Sequence, residues 1–383
     1  MTLLANTSLI RFIVGTALGL VALRLYYGGP IDPGGIGLGA HTVEVRESWR
    51  GEPITASRIR AIRTLIDGLS ASLAAQPQPK RPVVLWLGNS QLHAINQFRP
   101  GDHLAPYWLV AGAECQDCFL PLGLSLPNAN MQEHYALELD VTRHIPVKMA
   151  VLELCYDNLR EDGLRDEFEL LMDDGLRADL QQSDAGRKIT AAWDARAKVD
   201  PDAADVSGLQ GFLQRPVENF LDPGLGRVFP LWAARPSLRG QFLNDLYWFR
   251  NWVLGITPST VRKPIPPRYD RNMRALDAML ADLQRKHITT IGYIAPIRHD
   301  LPIPYDAASY AAWKAEIAAL SAKYNVALLN LEDLVPNDQW GHYRNRSTSQ
   351  KDEIDFMHFQ GPGHVMVADA LRPTVLRRLA GAE

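Results

Sequence analysis

Short apolar runs alternate with longer amphipathic stretches along most of the chain. Runs rich in Val, Ile and Leu and bounded by turn residues are typical of buried parallel strands, and the stretches between them have the periodicity of helices. The predicted strands are residues 83–88, 119–126, 147–154, 288–294 and 326–331. The predicted helices are residues 55–74, 131–143, 272–286, 309–324 and 363–379, with a further one after Ser90. This alternation predicts an α/β fold with a doubly wound, mostly parallel, five-stranded sheet.

The amino-terminal end of the chain does not follow this alternation. Residues 12–23 form an uncharged apolar run between Arg11 and Arg24, shorter than the ~20 residues that cross a bilayer unless the two arginines reach the interfaces. A signal anchor, a cleaved signal peptide and a buried helix all fit this pattern. We favour the anchor because no small residues typical of a cleavage site follow the run. We therefore predict a hydrophobic anchor helix within residues 1–27 and a Gly- and Pro-rich linker at residues 28–54.

A second exception lies inside the domain predicted for residues 55–383. Residues 162–267 contain many prolines and no regular alternation of strand and helix, so we predict a largely helical insertion there. Aromatic residues are dense at 242–252, and Trp232 lies close by in the sequence. They fill the core of the insertion or form a patch that contacts a membrane surface, a partner or an acyl chain.

The composition is that of an ordinary globular protein, with 46% hydrophobic and 22% charged residues among 383. A net charge of −3 and a pI of about 6.4 lack the basic surplus of nucleic acid-binding proteins, so we exclude that function. The spacing of Cys115 and Cys118 suits a metal, a redox pair or a local disulfide. A zinc site needs two further ligands, and the sequence has no second pair at suitable spacing, so we predict neither metal nor cofactor. We expect a disulfide if the protein is exported and two small buried residues if it is cytosolic.

Ser90 follows the first predicted strand at its carboxyl end. Gly88 permits a tight turn there, and Asn89 or Ser90 is able to cap a following helix. Open α/β sheets bind ligands at this edge, so Ser90 is either a cap or a nucleophile. Asp355 and His358 lie just before the last predicted helix. In hydrolytic triads a histidine takes the serine proton and an aspartate orients the imidazole, so this pair favours the nucleophile.

In two motifs, Gly88-Asn-Ser90 and Asp355-Phe-Met-His358, the sequence resembles the SGNH (GDSL-like) hydrolase superfamily. The resemblance covers most of residues 82–379 outside the insertion. It implies a flavodoxin-like sheet in which Ser90 is the nucleophile, His358 the general base and Asp355 its orienting partner. The chain is most similar to divergent membrane-anchored members found beside membrane-bound O-acyltransferases in bacterial envelope polysaccharide and teichoic acid acylation.

The function that this resemblance implies is that of a serine esterase or O-acyltransferase. Its substrate would be an acyl ester, in the first instance an acetyl ester, of a cell-envelope or exported polysaccharide, cleaved through an acyl-Ser90 intermediate. The expected partners are this acylated carbohydrate and a membrane-bound O-acyltransferase or polysaccharide synthase. The expected location is the bacterial inner membrane, with the globular domain in the periplasm. The alternative is a non-catalytic accessory protein that supports such a membrane enzyme.

The residues that would bind the oxyanion differ from the family pattern. Asp157 stands where the family has a donor asparagine, and a carboxylate there opposes the developing negative charge. Asn128, Asn130 and Asn158 are the candidate replacements. Asparagines after strands are also common turn residues, so both interpretations stay open.

Two further candidates follow the fourth predicted strand. Loops at this edge of a sheet commonly carry functional residues. Arg298 and His299 are therefore candidates for binding an anionic or sugar group of the substrate.

Overall fold

A computed structural model describes residues 41–75, 81–198, 260–344 and 352–381, all within one compact unit. The predicted anchor at 1–27 and the aromatic stretch at 242–252 lie outside the described residues. Within the described ranges, no helix is both long enough and apolar enough to cross a membrane.

Strands and helices alternate along much of the described part of the chain. The strands are β1 (Thr42–Glu44), β2 (Ser48–Trp49), β3 (Glu52–Pro53), β4 (Thr55–Ala56), β5 (Val83–Gly88), β6 (Ala94–Asn96), β7 (Leu120–Ser125), β8 (Val147–Leu154), β9 (Thr289–Ile294), β10 (Ala327–Asn330), β11 (Trp340–Arg344) and β12 (Asp352–Phe359). The helices are α1 (Ile59–Ala75), α2 (Ala105–Ala111), α3 (Met131–His144), α4 (Asp174–Leu180), α5 (Asp184–Lys198), α6 (Pro266–Arg285), α7 (Ala307–Lys323) and α8 (Gly361–Leu379). Short 3-10 turns occupy Ser90–Leu92, Tyr156–Leu159, Asp166–Leu170 and Asn337–Gln339.

Six strands form the central sheet in the order β10-β9-β8-β5-β7-β4, and all of them run parallel. Without β4, this is the flavodoxin-like order 2-1-3-4-5, which confirms the predicted doubly wound α/β fold. The predicted number of five strands is too low by one. The extra strand, β4, is a two-residue edge strand in which Thr55 pairs with Gly123, and it is too short to form an apolar run in the sequence.

Strand β5 lies in the middle of the sheet, between β7 and β8. Every residue of β5 is buried, and since successive side chains point to opposite faces, both faces are covered. Leu85 and Trp86 have no exposed surface. Removing a side chain of this size from water stabilises the fold by ~1.5–3 kcal/mol. Strand β5 is therefore a firm support for the turn that follows it.

Two predictions for the segments around the sheet are wrong. Residues 41–54, predicted to belong to a linker, are folded: β1 pairs with β6, and β2 and β3 form a hairpin that buries Trp49. In place of the helix predicted after Ser90 there is a 3-10 turn followed by β6, where Ile95 lies opposite Val43. Strands of two or three residues are too short to form a recognisable local pattern, and β1 and β6 depend on pairing between distant segments.

Part of the predicted insertion at 162–267 lies within the described residues and is mostly helical. It contains the 3-10 turn Asp166–Leu170, helices α4 and α5, and the first residues of α6. Residues 199–259 of the insertion lie outside the described residues.

The loop between α2 and β7 contains a disulfide bond. The bond joins Cys115 to Cys118, which is one of the alternatives that the spacing leaves open. The remaining cysteine, Cys155, is buried and carries a free thiol.

Candidate active site

The turn after β5 presents Ser90 at the carboxyl edge of the sheet. The Asn89 side chain caps this turn and accepts a hydrogen bond of 2.9 Å from the Gln91 N–H. Gly88 is needed for space and not for a positive φ, because an added Cβ would lie 2.4 Å from a carboxyl oxygen of Glu153. Ser90 is the first residue of the turn and is only 7% exposed.

Asp355 and His358 lie on the β11–β12 hairpin, immediately before α8. The pairing of the hairpin is irregular, because Trp340 pairs with Phe359 and His342 pairs with Ile354. One residue lies between the two positions on β11, whereas four residues, Asp355 through His358, lie between their partners on β12. Bulges redirect side chains and recur next to active sites. The bulge takes Asp355 and His358 out of the ladder and brings them to Ser90.

Ser90, His358 and Asp355 form a continuous hydrogen-bonded chain. The Nε2 atom of His358 lies 2.9 Å from the Ser90 Oγ, and its Nδ1 atom lies 2.9 Å from the Asp355 Oδ2. With the hydrogen assigned to Nδ1, the imidazole donates to Asp355 and accepts from the Ser90 hydroxyl. This is the geometry of a serine hydrolase triad, built from the three residues that the sequence predicts for it.

Asp355 is held as a carboxylate although it is buried. Burial by itself raises the pKa of a carboxyl group, but the facing His358 and the N–H groups of Met357 and His358 hold the pKa of Asp355 below its ordinary value. These two N–H groups donate to Oδ1 at 2.8 and 3.0 Å. The ionised Asp355 is therefore able to stabilise the imidazolium that forms when His358 takes a proton.

Asn96 belongs to the site although no sequence motif indicates it. Its Nδ2 atom lies 3.0 Å from the Asp355 Oδ2, the same oxygen that faces His358. The same nitrogen lies 3.0 Å from the Thr42 Oγ1 and 3.0 Å from the His342 carbonyl oxygen. Asn96 thus ties β1, β6 and the β11–β12 hairpin together around Asp355. Its partners are 54 to 259 residues away in the sequence, so local patterns do not reveal it.

Of the candidate oxyanion donors, Asn130 caps a helix and Asn128 lies in a turn. Asn130 caps α3: its side chain accepts from the Glu133 N–H at 3.0 Å and donates to the Gly163 carbonyl at 2.8 Å. Asn128 is exposed and adopts a left-handed conformation with φ of 52°. The structure therefore assigns both asparagines to the cap and turn roles for which this residue type is suited.

The segment after β8 also uses its polar side chains for structure. Asn158 accepts a hydrogen bond from the Cys155 N–H at 2.9 Å and donates one to the Ala129 carbonyl at 2.6 Å. Its amide therefore stabilises the loop, and Asn158 has a structural role instead of the predicted oxyanion contact. Asp157 accepts from the Tyr305 hydroxyl at 2.8 Å and from the Arg262 guanidinium at 3.1 Å. The ion pair with Arg262 therefore balances the charge of Asp157.

Arg298 and His299 follow β9, as predicted, but they differ in role. The buried Arg298 guanidinium donates to both Asp300 oxygens, at 2.7 and 2.8 Å, and to the Gly341 carbonyl at 3.1 Å. These contacts pair the charge of Arg298 within the loop. Arg298 therefore has a structural role instead of the predicted substrate contact. His299 is exposed, with its Nδ1 atom 3.3 Å from the Ile297 carbonyl oxygen, and it stays a candidate for substrate contact.

Two buried histidines support the turns at this edge of the sheet. The His93 Nδ1 lies 3.0 Å from the Ser125 Oγ, and the His134 Nε2 donates to the Gly88 carbonyl at 3.1 Å. Burial lowers the pKa of both histidines to about 4, and the charge of His358 acts in the same direction on His93. Both imidazoles are therefore neutral at neutral pH and serve as fixed hydrogen-bonding groups.

A small aromatic pocket lies beside the triad, at the ends of β8 and β9. Gln91 and Met357, the chain neighbours of Ser90 and His358, line it together with an aromatic cluster around Tyr156. Its volume is about 20 Å³, little more than the ~10–15 Å³ that one water molecule requires. The pocket therefore holds about one water molecule.

No family model and no curated protein match the chain. Solved structures that are similar to it include a proposed acylhydrolase from Bacteroides fragilis NCTC 9343, with 10% identity over 82% of this chain and 94% of that chain and a TM-score of 0.37. A GDSL-like lipase from Bacteroides thetaiotaomicron VPI-5482 has 9% identity over 84% of this chain and 100% of that chain and a TM-score of 0.37. A proposed platelet activating factor from Streptococcus pneumonia has 9% identity over 83% and 92% and a TM-score of 0.37.

The strand order, with Ser90 at the end of β5 and Asp355 and His358 before α8, defines an SGNH-like α/β fold. A fold of this type supports many activities. The chemistry of this chain therefore has to follow from its own side chains.

Proposed function

We propose that the protein is a serine esterase or O-acyltransferase of the SGNH type, in which Ser90 forms a covalent acyl intermediate. The observation that carries this proposal is the chain from Ser90 to His358 to Asp355, with two contacts of 2.9 Å each. The three residues are 5 to 9% exposed, and hydrogen bonds shielded from water in this way are stronger than exposed ones.

Acylation begins when the Ser90 Oγ attacks the carbonyl carbon of the ester and the His358 Nε2 takes the hydroxyl proton. The tetrahedral intermediate then collapses: the bond to the leaving alcohol breaks, and His358 gives the proton to that oxygen. Acyl-Ser90 next reacts with water or with a carbohydrate hydroxyl, whose proton passes to His358 and then to Ser90. Asp355 stays ionised and stabilises the imidazolium at both stages.

The Ser90 N–H is the main candidate for an oxyanion donor. Ser90 opens its 3-10 turn, and N–H groups at such a position have no acceptor within the turn. The amides of Asn130 and Asn158 are engaged in structural contacts, and each missing donor costs ~10²–10³ in kcat. We therefore expect slow turnover of simple esters.

We assign the substrate to acyl esters, first of all acetyl esters, of a cell-envelope or exported polysaccharide. The resemblance of the Gly88-Asn-Ser90 and Asp355-Phe-Met-His358 motifs to SGNH hydrolases supports an acyl ester. The disulfide between Cys115 and Cys118 supports an oxidising compartment such as the bacterial periplasm, and the apolar run at 12–23 supports an anchor in the inner membrane. A membrane-bound O-acyltransferase or polysaccharide synthase is the partner that fits this location.

Acetate release from an acetylated carbohydrate tests the proposal. We expect Ser90→Ala to lower the rate at least ~10³-fold, because the nucleophile is removed. The matched control is Ser321→Ala, which removes a buried hydroxyl on α7 and should keep most of the activity. Equal rates for wild type and Ser90→Ala would reject Ser90 as the nucleophile.

The structural use of Asn130 and Asn158 favours a second candidate function, a non-catalytic accessory protein that supports a membrane acyltransferase. Co-purification with such an enzyme, combined with unchanged polymer acylation in a Ser90→Ala strain, would support this function. Loss of acylation in the same strain would support the esterase or acyltransferase.

A further inference from the structure

The peptide group between Gly88 and Asn89 is held at both of its polar atoms by buried side chains. Its carbonyl oxygen accepts a hydrogen bond of 3.1 Å from the His134 Nε2. Its N–H faces the carboxyl group of Glu153 on β8 closely enough to lower the pKa of that carboxyl group. The next peptide group along the chain carries the Ser90 N–H and is joined to the first at the Asn89 Cα, so fixing the first group constrains the second.

Glu153 is a carboxyl group in an otherwise apolar, buried part of β8, and it is 1% exposed. The Cys155 thiol lies 3.3 Å from its Oε1, and the Tyr293 hydroxyl lies 3.4 Å from its Oε2. A buried carboxyl group is costly unless it has hydrogen-bond partners, and these two groups and the Asn89 N–H provide them. An added Cβ at Gly88 would lie 2.4 Å from Oε2, so Glu153 packs directly against the turn.

We propose that Glu153 is a positioning residue that fixes the Gly88–Asn89 peptide and thereby orients Ser90 and its N–H. The inference rests on the proposed function, because Glu153 acts through the nucleophile. A carboxylate accepts an N–H hydrogen bond more strongly than a neutral acid does, so the ionised form holds the peptide most firmly. The same charge faces His358 and favours the imidazolium that forms during acylation.

This role couples the turn to pH. Burial raises the pKa of Glu153 to about 7, against the hydrogen bonds of Cys155, the Asn89 N–H and Tyr293 and the charge of His358, which all lower it. These groups, from β8, the turn, β9 and the hairpin, are the ones that face the carboxyl group. Glu153 is therefore largely neutral at about pH 6 and largely ionised at about pH 8.

The test compares the rate at which a fluorophosphonate labels Ser90 in the whole chain and in its Glu153→Gln variant. The Gln amide oxygen still accepts the Asn89 N–H but does not ionise. We expect the two rates to agree within about threefold at about pH 6, and the wild type to be about tenfold faster at about pH 8. The control is Glu138→Gln, at a fully buried glutamate on α3, which should leave the rate unchanged at both pH values.

A Glu153→Gln rate equal to the wild-type rate at both pH values, or lower by the same factor at both, overturns the inference, because a merely structural role has no such pH dependence. Absence of Ser90-dependent labelling in the wild type overturns the proposed function, and the inference with it. If Glu153→Gln does not fold, Tyr293→Phe takes its place. It removes a donor to the carboxylate and should move the rise in labelling rate to higher pH, and an unmoved profile contradicts the inference.

Discussion

Replacement of Asn96 by aspartate would place a carboxyl group about where the amide nitrogen now lies, 3.0 Å from the Asp355 Oδ2. Both positions are buried, with exposures of 0% for Asn96 and 5% for Asp355. Two carboxylates this close do not both ionise. We therefore expect the new carboxyl group to stay protonated in the folded protein and to donate its O–H to Asp355 in place of the amide.

The repulsion between two carboxylates 3.0 Å apart is about 5 kcal/mol at an effective dielectric constant of about 20. This energy corresponds to a rise of about four units in the pKa of the new carboxyl group. In the unfolded chain the new carboxyl group ionises at about pH 4, so folding raises its pKa. The loss of folding stability caused by the new carboxyl group is absent below about pH 4 and grows by about 1.4 kcal/mol per pH unit above that. Between about pH 5 and about pH 7, Asn96→Asp should lose about 2.7 kcal/mol of stability relative to the wild type.

Urea unfolding at these two pH values measures the loss. Removal of the amide contacts to Thr42 and His342 adds a pH-independent cost of ~1 kcal/mol. The control is Asn128→Asp, at an exposed position with φ of 52° that aspartate tolerates, and it should change stability by less than ~0.5 kcal/mol. A destabilisation by Asn96→Asp that is the same at both pH values would refute the contact between Asn96 and Asp355.

Two further predictions concern the turn after β5 and the disulfide. In Gly88→Ala the new Cβ would lie 2.4 Å from a Glu153 oxygen. We therefore expect thermal or urea unfolding to show a loss of stability of ~1–3 kcal/mol and Ser90 labelling to slow at least tenfold. The control, Gly68→Ala, has open space around it on α1 and should stabilise the protein by up to ~1 kcal/mol. Joint replacement of Cys115 and Cys118 by serine should cost about 2 kcal/mol. Reductant should lower wild-type stability by the same amount, and no effect of reductant would contradict the disulfide.

The long buried strands are predictable from the sequence, because an apolar run is recognisable without knowledge of its partner. The predicted bounds of β5 and β8 agree with the structure. The short strands β1, β4 and β6 are not predictable, because pairs such as Val43 with Ile95 form only when distant segments meet. For this reason the sequence pattern at residues 41–54 indicates a linker where the structure has strands.

The triad residues are predictable because each has a local signal: Ser90 ends an apolar strand, and Asp355 and His358 share a short motif. Asn96 has no such signal, since its role arises from contacts among distant segments. Glu153 has a usable local signal, because it is the single acidic residue in the apolar run at 149–154. An acidic residue is rarely buried in such a strand unless it is paired with other groups. The amides of Asn130 and Asn158 have structural partners instead of the predicted oxyanion, and the sequence does not show this because asparagine serves equally well as a cap or turn residue.

Mass spectrometry of the fluorophosphonate-treated protein tests most directly whether Ser90 is a nucleophile activated by His358. In this reaction the Ser90 Oγ bonds to phosphorus, fluoride leaves, and His358 takes the hydroxyl proton. We predict that the modified peptide of the wild type contains Ser90, that Ser90→Ala is not modified, and that His358→Ala reacts at least ~10³-fold more slowly. An unmodified wild type, or equal modification of wild type and Ser90→Ala, would contradict the central claim.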